Sequence, residues 1–442
     1  MLNVSIWRFP PLLFLVLLTS LAVGLGFFMV EANYDWQGLV LVAGGIGILA
    51  ISLIPHLARL ERGNFLLKVL VCALVLKLVA AMVRLWFAFG VYGGIADASG
   101  YHSWGTAIAQ HIWRLEFEQV VPFFQWGTDF IRFFTGVLYS LIGPTLYGGY
   151  LVYAFLAFLG SYCFYRAFRI AFPQGNKRLY AILVFLFPSI LFWPNGIGKD
   201  ALIFLCIGLS AYGSALLIQE RLQGAPLLVI GLLATLCIRP HIAALLALAL
   251  MLAFLVRGVG KQPVRPASFI TGLLVVGGLA WFLLPRAIAF IGLDELSTEA
   301  VFSFLQLRQS LTFQGGSAFQ IIDISNPLTL PLAMGTLFFR PFPWEAHNLQ
   351  ALAQSLEGVL VIGLVLWRIK SLGKAIASSI SNIYMRYILI YILAFVIAFS
   401  VVSNFGILAR ERAMMLPFFF MLIAYDSPGD HIMGKPKEIL AL

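Results

Sequence analysis

The stretch that decides the fold runs from Phe65 to Val91, FLLKVLVCALVLKLVAAMVRLWFAFGV, and is followed by IADASGYHSW from Ile95 to Trp104. The first part is apolar except for Lys68, Lys77 and Arg84. As a helix it is long enough to cross the roughly 30 Å hydrocarbon core of a membrane. The second part is polar, so its carboxylate, Asp97, is predicted to lie at a membrane face.

Similar apolar runs recur along the 442 residues, which are 61% hydrophobic and only 11% charged. The mean hydropathy of +0.95 excludes a soluble globular protein. We predict an all-α polytopic membrane protein with about twelve transmembrane helices, forming one integral membrane domain over residues 1–442. The predicted spans are Phe9 to Val30, Leu39 to Ile54, Phe65 to Val91, Leu146 to Phe168, Leu179 to Trp193, Ala201 to Ile218, Pro226 to Ile238, Ile242 to Val256, Ala267 to Leu284, Ala351 to Trp367, Tyr387 to Val402 and Ala413 to Ala424.

The distribution of basic residues predicts the orientation. With the N-terminus inside, the inner segments receive twice as many of the 29 Lys and Arg residues as the outer ones, which favours both termini on the cytoplasmic side. The net charge of +10 is therefore attributed to basic residues in cytoplasmic loops, and no nucleic acid partner is predicted. The four cysteines lie in apolar runs without CxxC spacing, so neither a disulfide framework nor a metal site is indicated.

Two long outer loops follow from this orientation. Residues 92–134 combine acidic residues with tryptophans, a composition typical of short interfacial helices. Residues 286–350 begin polar and then become apolar. Their later part, Pro327 to Phe339, is interrupted by Pro331 and Gly335, so we predict a re-entrant or interfacial segment there.

The unusual polar residues cluster in the predicted outer segments, where we expect short loops from separate spans to converge over one cavity. The guanidinium group of arginine can donate two parallel hydrogen bonds to phosphate oxygens. This set of basic residues therefore favours an anionic ligand. The alternative for each basic residue is a simple interfacial anchor. The candidate binding residues are Tyr101, His102, Lys199, Asp200, Arg239, His241, Arg340, Glu345, Arg410 and Arg412.

Three further residues have alternative interpretations. Asp97 suits a general base, and equally the N-cap of a helix over Ser99 to Gln110. Lys77 and Glu357 are charges within predicted spans, and a buried pair between them is one hypothesis. Arg84 is most simply interpreted as snorkelling toward the interface.

The pattern Asp97-x-x-x-Tyr101, with Gly105 after it, resembles the first outer loop of the family C (GT-C) membrane glycosyltransferases, including the bacterial dolichyl-phosphate-mannose-protein-mannosyltransferase-like group. Phe187-Pro188-Ser189, Trp193 and Lys199-Asp200 are similar to the same group, so the resemblance covers approximately residues 92–205.

This resemblance implies transfer of a sugar from a polyprenyl-phosphate carrier to a glycan, lipid or protein acceptor on the extracytoplasmic face of a bacterial inner membrane. Asp97 would be the catalytic base, and Lys199, Arg239 and Arg410 would hold the carrier phosphate. No cofactor and no metal are implied.

Besides a noncatalytic assembly subunit, two other functions remain open. About twelve spans and a large late outer loop also resemble the O-antigen polymerases and ligases, in which Arg308, Arg340 and His347 would bind a polyprenyl diphosphate. A secondary transporter or lipid flippase is equally compatible with twelve spans, and its binding groups would lie near the bilayer midplane.

Overall fold

The computed structural model describes residues 34–59, 61, 63–91, 93–94, 96–256, 327–346 and 348–427, with isolated residues between 277 and 320. The predicted first span and most of the span from Ala267 to Leu284 lie outside the described residues, as do Arg308 and His347. The described α-helices are α1 (Asp35–Ala58), α2 (Phe65–Trp86, continued by a π-helical turn Phe87–Val91), α3 (Asp97–Trp113), α4 (Thr128–Ile142), α5 (Leu146–Ala171), α6 (Lys177–Leu186), α7 (Pro188–Phe192), α8 (Lys199–Ile218), α9 (Gly224–Ile238), α10 (Pro240–Leu255), α11 (Leu330–Phe339), α12 (Leu349–Trp367), α13 (Ile369–Ser378), α14 (Ile383–Phe399), α15 (Phe405–Arg412) and α16 (Leu416–Ile423).

The protein is an all-α integral membrane protein in the part of the chain that the structure describes. Five of these helices are long and apolar enough to cross a membrane, or six if the bent pair α13 and α14 counts as one span. The five are α1, α2 with its π-helical turn, α5, α8 and α12. Apart from one isolated bridge between Ala318 and Asn404, the described residues contain no β-structure.

One predicted span is divided by a proline in the structure. The predicted span from Leu179 to Trp193 is two helices, since α6 ends before Pro188 and α7 begins at it. Proline disfavours helical backbone in the residue before it, which is extended Phe187 here. Pro240 separates α9 from α10, at the break that the sequence predicts between these two spans. With 15 and 16 residues, these two helices are each about 23 Å long, less than a straight crossing.

The centre of the molecule is the packing of α8 between α5 and α9. Small residues permit this close approach. A Cβ on Gly208 of α8 would lie 2.7 Å from the carbonyl oxygen of Gly160 on α5, so neither helix can come this near with a larger side chain. Close packing through small residues is typical of membrane helices, where no hydrophobic effect drives association.

The two predicted outer loops contain helices. Within residues 92–134, α3 and the start of α4 form an antiparallel pair joined by two 3-10 turns. In the second loop, the segment predicted to be re-entrant or interfacial contains α11, whose ten residues span only about 15 Å. The protein therefore has helices at both places, and α4 continues beyond the predicted loop to Ile142.

Candidate functional site

Asp200 lies at the start of α8 and gathers three arginines from three other parts of the chain. Its carboxylate is 2.7 Å from Nε of Arg410, 3.0 Å from Nη2 of Arg84 and 3.6 Å from Nη2 of Arg239. The side chain of Asp200 is only 12% exposed. A buried carboxylate is costly unless it is paired and hydrogen-bonded, and these arginines meet that need.

Two of these arginines also contact further carboxylates. Arg239 also pairs with Glu411, the neighbour of Arg410 on α15. Nη1 of Arg410 is 3.8 Å from the carboxylate of Asp97, the first residue of α3. We call Arg84, Asp97, Lys199, Asp200, Arg239, Arg410 and Glu411 the Asp200 cluster.

Lys199 joins the cluster through a hydroxyl and not through a carboxylate. Its Nζ donates a hydrogen bond of 2.9 Å to Oγ1 of Thr128, the first residue of α4. Tyr101, one turn after Asp97 on α3, is buried and hydrogen-bonds to the same threonine. Burial, with Asp97 adding to it, raises the pKa of Tyr101 to about 12, so this residue is a neutral hydroxyl at physiological pH.

A glycine lets the chain reach this arrangement. Gly198 precedes Lys199 with φ of +152°, in a region that side-chain-bearing residues rarely adopt. A Cβ there would also lie 3.4 Å from the ring of Tyr101. The turn before α8 therefore brings Lys199 and Asp200 against α3 and α4.

The cluster holds four cations and three carboxylates, so it carries one excess positive charge. Asp200 and Glu411 are nearly enclosed, whereas the side chain of Asp97 is 69% exposed. The nearby Asp200 raises the pKa of Arg410 above its usual range, so its charge is fixed. The cations lie beside one exposed carboxylate, that of Asp97. Such a site suits an anionic ligand together with a group that can give up a proton to the carboxylate.

His102 was predicted to bind substrate but faces another part of the chain. Its Nδ1 lies 2.8 Å from the hydroxyl of Tyr139 on α4. Burial lowers the pKa of His102, and Asp35 only partly opposes that effect. His102 is therefore neutral at pH 7 and joins α3 to α4, away from the Asp200 cluster.

Arg340 and Glu345, two further predicted binding residues, pair with each other. Nη2 of Arg340 is 2.5 Å from Glu345, and its guanidinium lies 4.5 Å above the ring of Phe319 and 5.3 Å above that of Phe405. This pair covers the start of α15 and forms no ion pair with the Asp200 cluster. His241, at the start of α10, lies with its ring 6.2 Å from that of Phe399.

Arg412 is fully buried and is turned to the opposite side of α15 from Arg410. It donates to the carbonyl oxygen of Phe338 at 3.0 Å and lies 3.4 Å from Glu357. Glu357 also accepts a hydrogen bond of 2.6 Å from Ser189. Arg412 thus anchors α15 to α11 and α12, and it does not reach the Asp200 cluster.

The hypothesis of a pair between Lys77 and Glu357 is wrong. Lys77 donates to the carbonyl oxygen of Ile190 at 2.9 Å and approaches Oδ1 of Asn195 at 3.5 Å. Helix α7 exposes a carbonyl at its C-terminal end, and the ammonium group satisfies it. Glu357 already has Arg412 and Ser189 as partners.

Two interpretations of single residues also change. Arg84 does not snorkel to the interface, because it pairs with Asp200 and lies 5.8 Å from the ring of Trp193. Asp97 is not a helix cap, because Ala96 is the N-cap of α3 and no side chain caps that end. The carboxylate in the first turn still interacts favourably with the helix dipole.

Arg84, Thr128 and Glu411 were not among the residues predicted for the site. Arg84 carried one signal, since a charge within an apolar span usually has a partner. Within the described ranges, no group of three or more His, Cys, Asp or Glu side chains is placed to hold a metal ion. Comparison with known proteins found no matching family model, no similar curated protein and no similar solved structure.

Proposed function

We propose that this protein is a membrane glycosyltransferase that moves a sugar from a polyprenyl-phosphate carrier to a hydroxyl group of a glycan, lipid or protein acceptor. The observation that carries the proposal is the exposed carboxylate of Asp97 beside Arg410, at the edge of a cluster with excess positive charge. The resemblance of Asp97-x-x-x-Tyr101 to the first outer loop of the GT-C glycosyltransferases supports the same assignment.

The proposed topology has about twelve spans with both termini in the cytoplasm, in a bacterial inner membrane. Residues 92–134 and 286–350 are then extracytoplasmic, and so is the Asp200 cluster. The excess of Lys and Arg in the inner segments supports this orientation. A lipid-linked donor suits such a site, because nucleotide sugars are confined to the cytoplasm.

In the proposed reaction the acceptor oxygen attacks the anomeric carbon of the donor. The bond between that carbon and the phosphate oxygen breaks, and the polyprenyl phosphate leaves with both electrons. Asp97 takes the hydroxyl proton as general base. Arg410 and Lys199 stabilise the negative charge that develops on the leaving phosphate.

Asp97 is a better candidate for the base than Asp200. The oxygens of Asp200 are occupied by Arg84, Arg239 and Arg410, whereas Asp97 has one distant cation and is largely open. The proposed role of Asp200 is to hold the arginines in place. Preorganised cations need no rearrangement when charge develops in the transition state.

The location of charges also favours this proposal over a transporter. Lys77 and Glu357, two charges well inside spans, are each held by nearby groups of the protein. Transporters place their binding groups near the midplane, often in broken helices. Here the open carboxylate of Asp97 and the cations beside it lie near one end of α2, where Arg84 joins the cluster.

The test is transfer activity of Asp97→Asn in purified protein reconstituted with radiolabelled polyprenyl-phosphate sugars and candidate acceptors. Loss of the base should lower the rate by about 10²- to 10⁴-fold. Because Asp97 is largely exposed, the thermal unfolding temperature should stay unchanged.

Asp129→Asn is the matched control, since Asp129 is a half-exposed acid of the same helical pair, forms an ion pair with Arg132 and does not belong to the Asp200 cluster. It should transfer sugar at the wild-type rate. Wild-type transfer by Asp97→Asn would refute the proposed mechanism and would favour a polymerase-type site instead.

A further inference from the structure

A second charged region lies at the other end of the long helices, around a cavity of about 450 Å³. About 19 residues of α2 separate Phe65, which lines this cavity, from Arg84 of the Asp200 cluster, or roughly 28 Å along the helix. That separation is close to the thickness of a hydrocarbon core. The cavity is therefore at the opposite membrane face from the Asp200 cluster.

Both carboxylates in the cavity wall are already neutralised by arginines outside it. Glu61 is 2.7 Å from Nε of Arg169 and accepts a hydrogen bond of 3.0 Å from Tyr165. Asp426 pairs with Arg368, which also donates to carbonyl groups at the end of α16. These pairs leave no net negative charge in the wall.

Two cations of the cavity wall have no such partner. Lys177 and Arg178 start α6, and within the described part of the chain neither forms an ion pair. Arg178 lies 5.6 Å from the ring of Phe65, which holds its guanidinium at the rim. The four cations around the cavity exceed the two carboxylates by two charges.

The start of α6 adds to this positive potential. Asn176 caps the helix by accepting from the amide of Leu179 at 3.0 Å, so the first amides, those of Lys177 and Arg178, remain beside the cavity. Amide groups and the positive end of the helix dipole favour an anion there. Cations, the positive end of a helix and an open cavity thus coincide.

We propose that this cavity binds the phosphate headgroup of an anionic membrane lipid. A lipid is favoured over a free anion because the cavity lies among the ends of the spanning helices α1, α2 and α5, where headgroups are concentrated. Basic pockets between membrane helices bind phosphate headgroups elsewhere by the same chemistry. In the proposed topology the cavity faces the cytoplasmic leaflet. The assignment does not depend on sugar transfer by the Asp200 cluster.

The experiment is native mass spectrometry of the purified full chain in mixed micelles of phosphatidylglycerol and phosphatidylcholine. Wild-type protein should retain phosphatidylglycerol in preference. Each Lys or Arg near a membrane surface strengthens binding of anionic lipid about fivefold, so Lys177→Gln with Arg178→Gln should weaken retention about 25-fold.

The matched control is Arg59→Gln with Lys68→Gln. It removes the same charge from the same end of the molecule, at exposed positions that do not line the cavity. This control should retain the lipid, and both double variants should keep the wild-type unfolding temperature.

Three results would overturn the assignment. They are equal retention of both lipids by wild-type protein, equal loss in the cavity variant and the control, or displacement of bound lipid by inorganic phosphate at the same concentration. The last result would show that a free anion suffices.

Discussion

Replacing Asp200 by asparagine should destabilise the protein strongly, because three arginines lose their shared counter-charge. Removing one partner of a buried ion pair costs about 3–5 kcal/mol, since the remaining charge stays buried without compensation. Asp200 is 12% exposed and its arginines are 11% to 28% exposed, so solvent replaces little of the lost interaction. The expected loss in free energy of unfolding is therefore about 3–5 kcal/mol.

The assay is thermal unfolding of purified protein in detergent, followed by the fluorescence of the tryptophans. For a chain of 442 residues we expect a decrease of roughly 3–5 °C in the unfolding temperature. Asp129→Asn is the matched control, because this acid is 35% exposed and its pair with Arg132 is three residues away on one helix. Exposed pairs contribute about 0–1 kcal/mol, so the control should unfold near the wild-type temperature.

Removing one of the arginines left without a counter-charge should restore part of the lost stability. In the Asp200→Asn background, Arg84→Met deletes one uncompensated charge, so the double variant should be more stable than the sum of the two single effects. A cost for Asp200→Asn no larger than for Asp129→Asn would refute the reasoning that Asp200 organises the cluster.

Two further predictions concern stability. Burial lowers the pKa of His102 below its unfolded value near 6.5, so the folded protein binds fewer protons and its stability should fall as pH decreases below about 6.5. His102→Asn should reduce the change in unfolding temperature between pH 7 and pH 5, and an unchanged pH dependence would contradict this role. A Cβ on Gly358 would overlap the carbonyl oxygen of Phe339, so Gly358→Ala should cost about 1–3 kcal/mol. Gly363→Ala on the same helix meets nothing within 4 Å and should be neutral or stabilising by up to about 1 kcal/mol, so equal effects in a denaturation series would contradict the close contact.

Much of the architecture follows from local sequence. Apolar composition predicts membrane helices wherever a run is long and uninterrupted, and the structure confirms this for α1, α2, α5, α8 and α12. Prolines limit the method, because Pro188 divides a helix inside a run that remains apolar. Hydropathy alone does not register such breaks.

The candidate site was predictable in part. Sequence placed Asp97, Lys199, Asp200, Arg239 and Arg410 in segments expected to converge, and the structure brings these five together. It does not bring Arg340, Glu345 or Arg412 into the cluster, because nearer partners hold them. The positions of these residues along the chain do not show which of them enter the cluster and which pair elsewhere.

By itself, the sequence determined that this chain is a helical membrane protein, because transfer of long apolar segments out of water depends only on their composition. It also determined which acidic and basic residues stand in the predicted outer segments. Tertiary structure alone decided which charges pair. Arg410 and Arg412 are two residues apart, yet α15 directs one to Asp200 and the other to Glu357, because successive side chains leave a helix in different directions.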